Sequence, residues 1–503
     1  MADTNKRHEG GVSYHIPGAD YFEQRVLKRH AGVFSLWALG VGAVISGDFS
    51  GWNLGFAVGG WGGMFIATVI IAIMYLGLTY SIAEMSPALP HTGGAYSFAR
   101  TAFGPWGGFI TGIAENIEYV LTPAVVVYFI GTYMTQITGT PDALQPVWWL
   151  VGYVIFVGLN ARGVELSFKV TVIVTLIAIA ILVFFLLSAL FSGQFDFARW
   201  AMNVGADAKG NAVELKGGGG SFLPLGVKGI FAGLPFAVWL FLAIEQLPLA
   251  SEESVDPKRD MPKGIMLGMF TLIGLGFLVL IINPGIPGGA FGYGSSGQPI
   301  LDGFAAIYGA GWAKLLALFA VAGLVASFHS IIFAFGRQIY SLSRAGYFPH
   351  FLSVTHGEHK TPNVALYAGA VVGFLVMLIT WFAEGGQAAG TFIGGTLLNM
   401  AVFGAMFSYL LQALTFLRLR SRFPNIERPY RSPFGRLGAG LTAIIAIVTI
   451  IFQLTDPLYR QGVIGVAIWY ALAIIYFAVY GRNTLVFSPE EEFAVKQREG
   501  AAR

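Results

Sequence analysis

Residues 40–52 read Gly40-Val41-Gly42-Ala43-Val44-Ile45-Ser46-Gly47-Asp48-Phe49-Ser50-Gly51-Trp52. Helix breakers and a carboxylate stand here in the middle of an apolar run. Gly, Ser and Asp are poor interior residues for a helix. A break at bilayer depth is tolerated only where the backbone faces protein or a wet cavity. An acid at a helix centre costs about 2.5–3.5 kcal/mol on insertion scales. The stretch therefore reads as a membrane helix interrupted to build a site. A second stretch has the same character: Trp239-Leu240-Phe241-Leu242-Ala243-Ile244-Glu245-Gln246-Leu247-Pro248.

The composition agrees with a membrane setting. The chain has 503 residues, 55% hydrophobic and 11% charged, against about 25% charged in soluble domains. Mean hydropathy is +0.67. These numbers leave too few polar residues to cover soluble domains and indicate an all-α integral membrane protein. Net charge is only +3, which gives a nucleic-acid partner no support. Cysteine is absent, which removes disulfides and thiolate metal sites. No Gly-Lys dipeptide of a phosphate loop occurs, and no cofactor or metal is expected.

A helix needs about 20 apolar residues to cross the bilayer. On that measure the chain reads as twelve spans, near 33–58, 62–86, 93–135, 146–162, 166–192, 228–250, 264–284, 312–346, 363–384, 391–420, 434–455 and 461–481. The basic run Arg418, Arg420, Arg422, Arg428, Arg431, Arg436 then falls between spans ten and eleven. The loops near Thr138–Gln145 and Pro284–Gly311 hold no Lys or Arg. This bias predicts both termini in the cytoplasm. The polar start, Met1–His30, has no signal-peptide core. The loop 193–227, with Gly217–Gly220, reads as a flexible outer connection. Pro87–Gly94 reads as a turn between spans two and three, and Ser251–Arg259 as a charged inner loop.

The interruptions fall in spans one and six. Those positions correspond if the first ten spans form two five-span repeats, and paired interrupted helices mark a transporter's binding site. Asp48 lies about 22 Å along a helix from Val33, and Glu118 about 20 Å from Pro105, both near mid-depth. Glu115 stands one turn before Glu118. Glu245 lies toward the inner end of span six. No Lys or Arg falls at comparable depth, so a cationic solute or a coupling ion is the natural complement. Other readings stay open at each position. Asp48 also suits the N-terminus of a second half-helix, and Glu118 suits a protonated packing role. Glu115 and Glu118 compete for charge, so Glu115 reads as a neutral hydrogen-bonding or proton-handling group. Glu245 serves either the broken backbone or gating. Trp239, Phe241 and Tyr119 offer faces to a cation. His329, in span eight, is a packing residue or a proton carrier.

With these residues quoted, the chain resembles the amino acid–polyamine–organocation transporters over nearly its whole length. Gly40-Val-Gly-Ala43, Pro87-Ala-Leu-Pro-His-Thr-Gly-Gly-Ala-Tyr96 and Phe103-Gly-Pro105 carry the resemblance, with Glu252-Glu-Ser-Val-Asp-Pro-Lys-Arg-Asp-Met-Pro262 and Ser343-Arg-Ala-Gly-Tyr-Phe-Pro349. It implies a LeuT-type 5+5 inverted repeat with two added C-terminal helices. The expected division is a cytoplasmic segment 1–32, repeats 33–192 and 228–420 flanking the outer loop 193–227, added helices within 421–481, and a cytoplasmic tail 482–503. Within the superfamily, Val44–Asn53 is similar to the ethanolamine permeases. Amino-acid carriers usually place Gly-Ser-Gly at the break of span one, where backbone amides hold the substrate carboxylate. Here the triplet is Ser46-Gly47-Asp48, which repels a carboxylate and attracts an ammonium. The small neutral residue of span three is replaced by Glu118, and Trp239 matches an aromatic gate. The Lys that some proton-coupled relatives carry in span five is missing.

The resemblance implies a secondary transporter of the cell (inner) membrane, not an enzyme. It would import a small organic amine, most simply ethanolamine, by alternating access. Choline, a cationic amino acid or a polyamine are the alternatives. Substrate contacts are expected from Asp48, Glu118, Trp239, Tyr119, Ser46, Phe241 and the Leu242 carbonyl. Glu115, Glu245 and His329 are expected in coupling or gating, with a proton or sodium as the coupling ion. A channel, a membrane-embedded enzyme and a receptor are the readings from other classes. No His-Glu-x-x-His, histidine cluster or repeated pore motif supports the first two.

Overall fold

A computed structural model describes residues 6–9, 11–383 and 391–502. Eleven of the described helices are long and apolar enough to cross a membrane. A shorter apolar helix, Val33–Phe49, precedes them. In chain order the twelve are span one Val33–Phe49, two Trp52–Ala88, three Pro105–Thr138, four Asp142–Ala161, five Val164–Phe191 and six Gly226–Glu253. Then come seven Pro257–Gly285, eight Ala310–Arg344, nine Asn363–Ala383, ten Gly395–Arg422, eleven Gly435–Thr455 and twelve Pro457–Asn483. The protein is a multi-pass, all-α membrane protein. Residue 384, the expected end of span nine, lies outside the described residues.

Burial varies with role. In their most apolar windows spans three and six are 83% and 78% buried, span twelve only 17%. Spans three and six thus form the centre, and span twelve lies at the rim with an apolar outer surface, as contact with lipid requires.

Three boundaries differ from the sequence expectation. Span one stops at Phe49 rather than near 58, because Ser50 is extended and Gly51 takes φ +95°. Residues 52–58 therefore open span two. The expected third span, 93–135, is two elements: an amphipathic helix Gly94–Phe103, a turn at Gly104, and Pro105–Thr138. Pro105 at the first helical position suits a fresh start. The loop 193–227 is more structured than its glycines suggest. It carries one helical turn, Phe197–Ala201, and an antiparallel hairpin of Val204–Ala206 with Ala212–Glu214.

The two chain ends meet. Strand β1 (Lys6–Glu9) pairs antiparallel with β2 (Val12–His15). β2 pairs parallel with Leu485–Val486, just past span twelve. A tail helix, Pro489–Ala502, follows. N- and C-terminal segments thus sit at one end of the bundle, as an even number of crossings requires.

Candidate functional site

The two interrupted spans are interrupted against each other. Span one runs as helix to Val44, makes one further turn at Ser46–Phe49, and leaves helical geometry at Ser50. Span six is helical to Trp239, irregular over Leu240–Ala243, and resumes as a tighter helix from Ile244. Ala243 carries φ +85°, a strained conformation for a residue with a side chain. The indole Nε1 of Trp239 donates to the Ser50 carbonyl at 2.9 Å, which ties the two breaks together. Glycine permits the approach: a Cβ on Gly47 would lie 2.6 Å from the Trp239 carbonyl oxygen.

Asp48 sits in the single turn between the breaks and is 1% exposed. Neither carboxylate oxygen has a hydrogen-bond partner. Gly276 of span seven opens the space in front of it. A Cβ there would lie 3.6 Å from Asp48 Oδ1 and 3.4 Å from the Phe241 ring. Asp48, Phe241 and the Gly276 backbone therefore face a common point between spans one, six and seven. Ser46, two residues before Asp48 in the same turn, is also buried. Leu242 lies in the irregular stretch of span six, next to Phe241.

The other acids share a set of hydroxyl and amide donors. Glu115, Glu118 and Glu245 are all buried. Tyr409 of span ten donates to Glu118 Oε1 at 3.0 Å, and Tyr75 of span two donates to the Tyr409 hydroxyl at 3.1 Å. Gln338 of span eight donates to Glu115 Oε2 at 2.9 Å. The Tyr119 hydroxyl stands between Glu115 and Glu245, at 3.5 and 3.4 Å. Glu118 and Glu245 are within hydrogen-bonding reach of each other. Each leaves one oxygen, Oε2, without a partner. Spans two, three, six, eight and ten all contribute. Three carboxyl groups so close, and away from water, cannot all be charged without a bound cation or proton.

No protein cation answers this charge among the described residues. The buried arginines are engaged elsewhere: Arg337 with Glu253, Arg344 with Glu252 and Glu490, Arg100 with Glu491, and Arg25 with Ser353 and the Tyr21 carbonyl. The described residues also hold no group of three or more potential metal ligands.

The expected site is thus brought together in two parts. Trp239, Phe241, Leu242 and Ser46 cluster around the breaks with Asp48, while Tyr119, Glu115 and Glu245 gather around Glu118. The two parts adjoin through Tyr75, whose ring lies 5.6 Å from that of Phe241 and whose hydroxyl meets Tyr409, the donor to Glu118. His329 stands apart from both. Its Nδ1 meets Asn160 Nδ2 at 3.0 Å and its Nε2 lies 3.1 Å from the Ser167 carbonyl. It joins spans four, five and eight, with both nitrogens in contact with polar partners.

Tyr409, Tyr75 and Gln338 were not anticipated from the sequence. Their signal was present: each is a polar side chain inside an apolar span, and buried acids need donors.

Comparison with known proteins now fixes the family. The profile of the amino acid permeases matches residues 32–480, nearly all of the membrane bundle. The chain belongs to the amino acid permease family. Among its relatives is the branched-chain amino acid permease BcaP of Bacillus subtilis, 25% identical over 92% of this permease and 94% of the relative. The methylthioribose transporter of Bacillus subtilis is 22% identical over 92% and 95%. The vacuolar cationic amino acid transporter 2 of Arabidopsis thaliana is 26% identical over 65% of this permease and 51% of its own length. Their names span an apolar amino acid, a cationic one and a solute that is no amino acid. Membership therefore establishes a transporter, not an enzyme, and leaves the solute to the site.

Proposed function

We propose that this permease imports a small organic amine cation, most simply ethanolamine, by alternating access. One observation carries the reading. Asp48 presents two unpartnered oxygens at the junction of the broken spans, with no protein cation near them. A buried uncompensated carboxylate is costly, and an ammonium group offsets that cost. Phe241 adds a ring face beside it, and the Trp239 indole, bonded to Ser50, holds the break closed over the ligand. The Leu242 carbonyl and Ser46 complete the surroundings of the amine. A free amino acid brings its own carboxylate next to Asp48, and that repulsion selects against it.

Glu118, Glu245, Glu115, Tyr119 and Tyr409 handle charge during the cycle in this reading. Three carboxyls without a basic partner must gain or lose a proton, or exchange a cation, when the site opens, and proton coupling follows most directly. The interruptions in spans one and six support a division into two five-span repeats, 33–192 and 228–420, with two helices added. The arginine-rich loop after span ten supports cytoplasmic termini in the cell (inner) membrane.

Uptake of labelled ethanolamine into proteoliposomes tests the proposal. Asp48→Asn should abolish it, and full uptake by that variant would remove Asp48 from the mechanism. The second reading is a cationic amino acid substrate, favoured by the vacuolar relative. Competition by excess lysine that matches competition by unlabelled ethanolamine would establish it.

A further inference from the structure

The end of the bundle that gathers both chain termini holds the densest charged cluster outside the site. Arg344 closes span eight. It contacts Glu252, at the end of span six, at 2.6 and 2.9 Å, and Glu490 of the tail helix at 3.1 Å. Tyr96 donates to Glu490 at 3.1 Å. Beside it, Glu491 accepts from Arg100, from Tyr14 at 2.8 Å and from Tyr347 at 2.9 Å. Arg100 also reaches the Tyr14 hydroxyl at 2.7 Å. Glu490 and Glu491 are 2% and 0% exposed. Two carboxylates from a terminal tail are thus buried between the helix Gly94–Phe103 and the ends of spans six and eight.

Tails are usually solvated, so this burial needs a reason. Tail carboxylates and bundle guanidiniums neutralise each other, and neither set is easily buried alone. Glu252 makes the connection functional. It ends the same span six that carries Trp239 and Glu245, so Arg344 links the tail to the half of the broken helix that follows the interruption.

We propose that Pro489–Ala502 is a latch that holds this end of the permease shut. Opening here requires Glu490 and Glu491 to leave Arg344 and Arg100. The β2 pairing with Leu485–Val486 keeps the released tail close enough to return. The latch is independent of which solute is carried, and its test does not read uptake.

The native chain has no cysteine, so single introduced thiols report accessibility directly. Ser341→Cys places one in span eight, beneath the latch and beside Tyr96. Thr449→Cys places one in span eleven, equally buried and remote from it. A membrane-impermeant maleimide is applied to the full-length permease. Combining Glu490→Gln with Glu491→Gln should raise labelling at position 341 about tenfold, the shift expected from losing charge-assisted bonds, and leave position 449 unlabelled. Glu490→Gln alone, which keeps the Glu491 cluster, should give a smaller rise at 341. An unchanged rate at 341 in both backgrounds overturns the latch. So does an equal rise at 449, because the tail would then support the whole bundle and not its mouth.

Discussion

At the scale of single residues, the site depends on side chains that oppose their surroundings. Asp48 was visible in the sequence because a carboxylate inside an apolar run has few bland explanations. Gly51 was visible only as a helix breaker; its structural reason is φ +95° and the Trp239 indole nitrogen 2.7 Å from where a Cβ would stand. Gly51→Ala should therefore destabilise the permease by about 1–2 kcal/mol from backbone conformation alone, with a further loss as Trp239 is displaced. Thermal unfolding in detergent measures it, and an unchanged midpoint contradicts the close packing of the two breaks. Tyr409→Phe deletes the donor to Glu118 and should cost about 1–3 kcal/mol by leaving a buried polar group unsatisfied. The same variant should slow uptake of labelled amine, and a wild-type rate would separate the acid group from transport. Tyr409 could not be placed from sequence because its partner lies 291 positions away. Which hydroxyl meets which acid is set by helix packing, not by local spacing.

At the scale of elements, apolar length was enough to locate most spans, since hydrophobic run length is a local property. It failed where an amphipathic helix abuts a span. Gly94–Phe103 and Pro105–Thr138 read as one run because the turn at Gly104 adds no charge. The segment Ser251–Arg259, read as a charged inner loop, also supplies ion pairs to span eight through Glu252 and Glu253. Arg337 of span eight grips Glu253 at 2.8 Å with both side chains fully buried, and lies over the Phe333 ring at 3.7 Å. Arg337→Leu should cost about 3–5 kcal/mol because it strands Glu253. Adding Glu253→Leu should recover most of that loss, and a double variant as unstable as the single one would refute the pairing argument. In the turn after span two, His91 is half-buried, with an enclosed Nε2 that has no partner. Burial lowers its pKa below the usual 6.5, against the pull of Glu490 and Glu252. The unfolded chain then binds the proton more readily than the folded one. The His91 contribution is complete above pH 6.5 and is lost as pH falls through the lowered value. His91→Gln should flatten the fall in melting temperature on acidification below pH 6.5, and an unaltered slope would assign that fall to other groups.

At the scale of the whole molecule, the pairing of Tyr14 with Leu485 requires both ends on one face of the membrane. Reporter domains fused to the two termini should read the same compartment, and opposite readings would mean an odd number of crossings. The span count and the positions of the two broken helices were legible because they follow from composition and order. The donors that meet Glu115 and Glu118 were not, because depth along a helix says nothing about the direction a side chain faces. The terminal closure was equally hidden, since its partners are 477 positions apart at Tyr14 and Glu491. That distance has a consequence for biosynthesis. At about 5–20 residues per second, Tyr14 leaves the ribosome some 25–95 s before Glu491 is made. A nascent permease therefore occupies the bilayer with Arg100 and Arg344 still lacking Glu491 and Glu490, and the seal forms only after span twelve has been made.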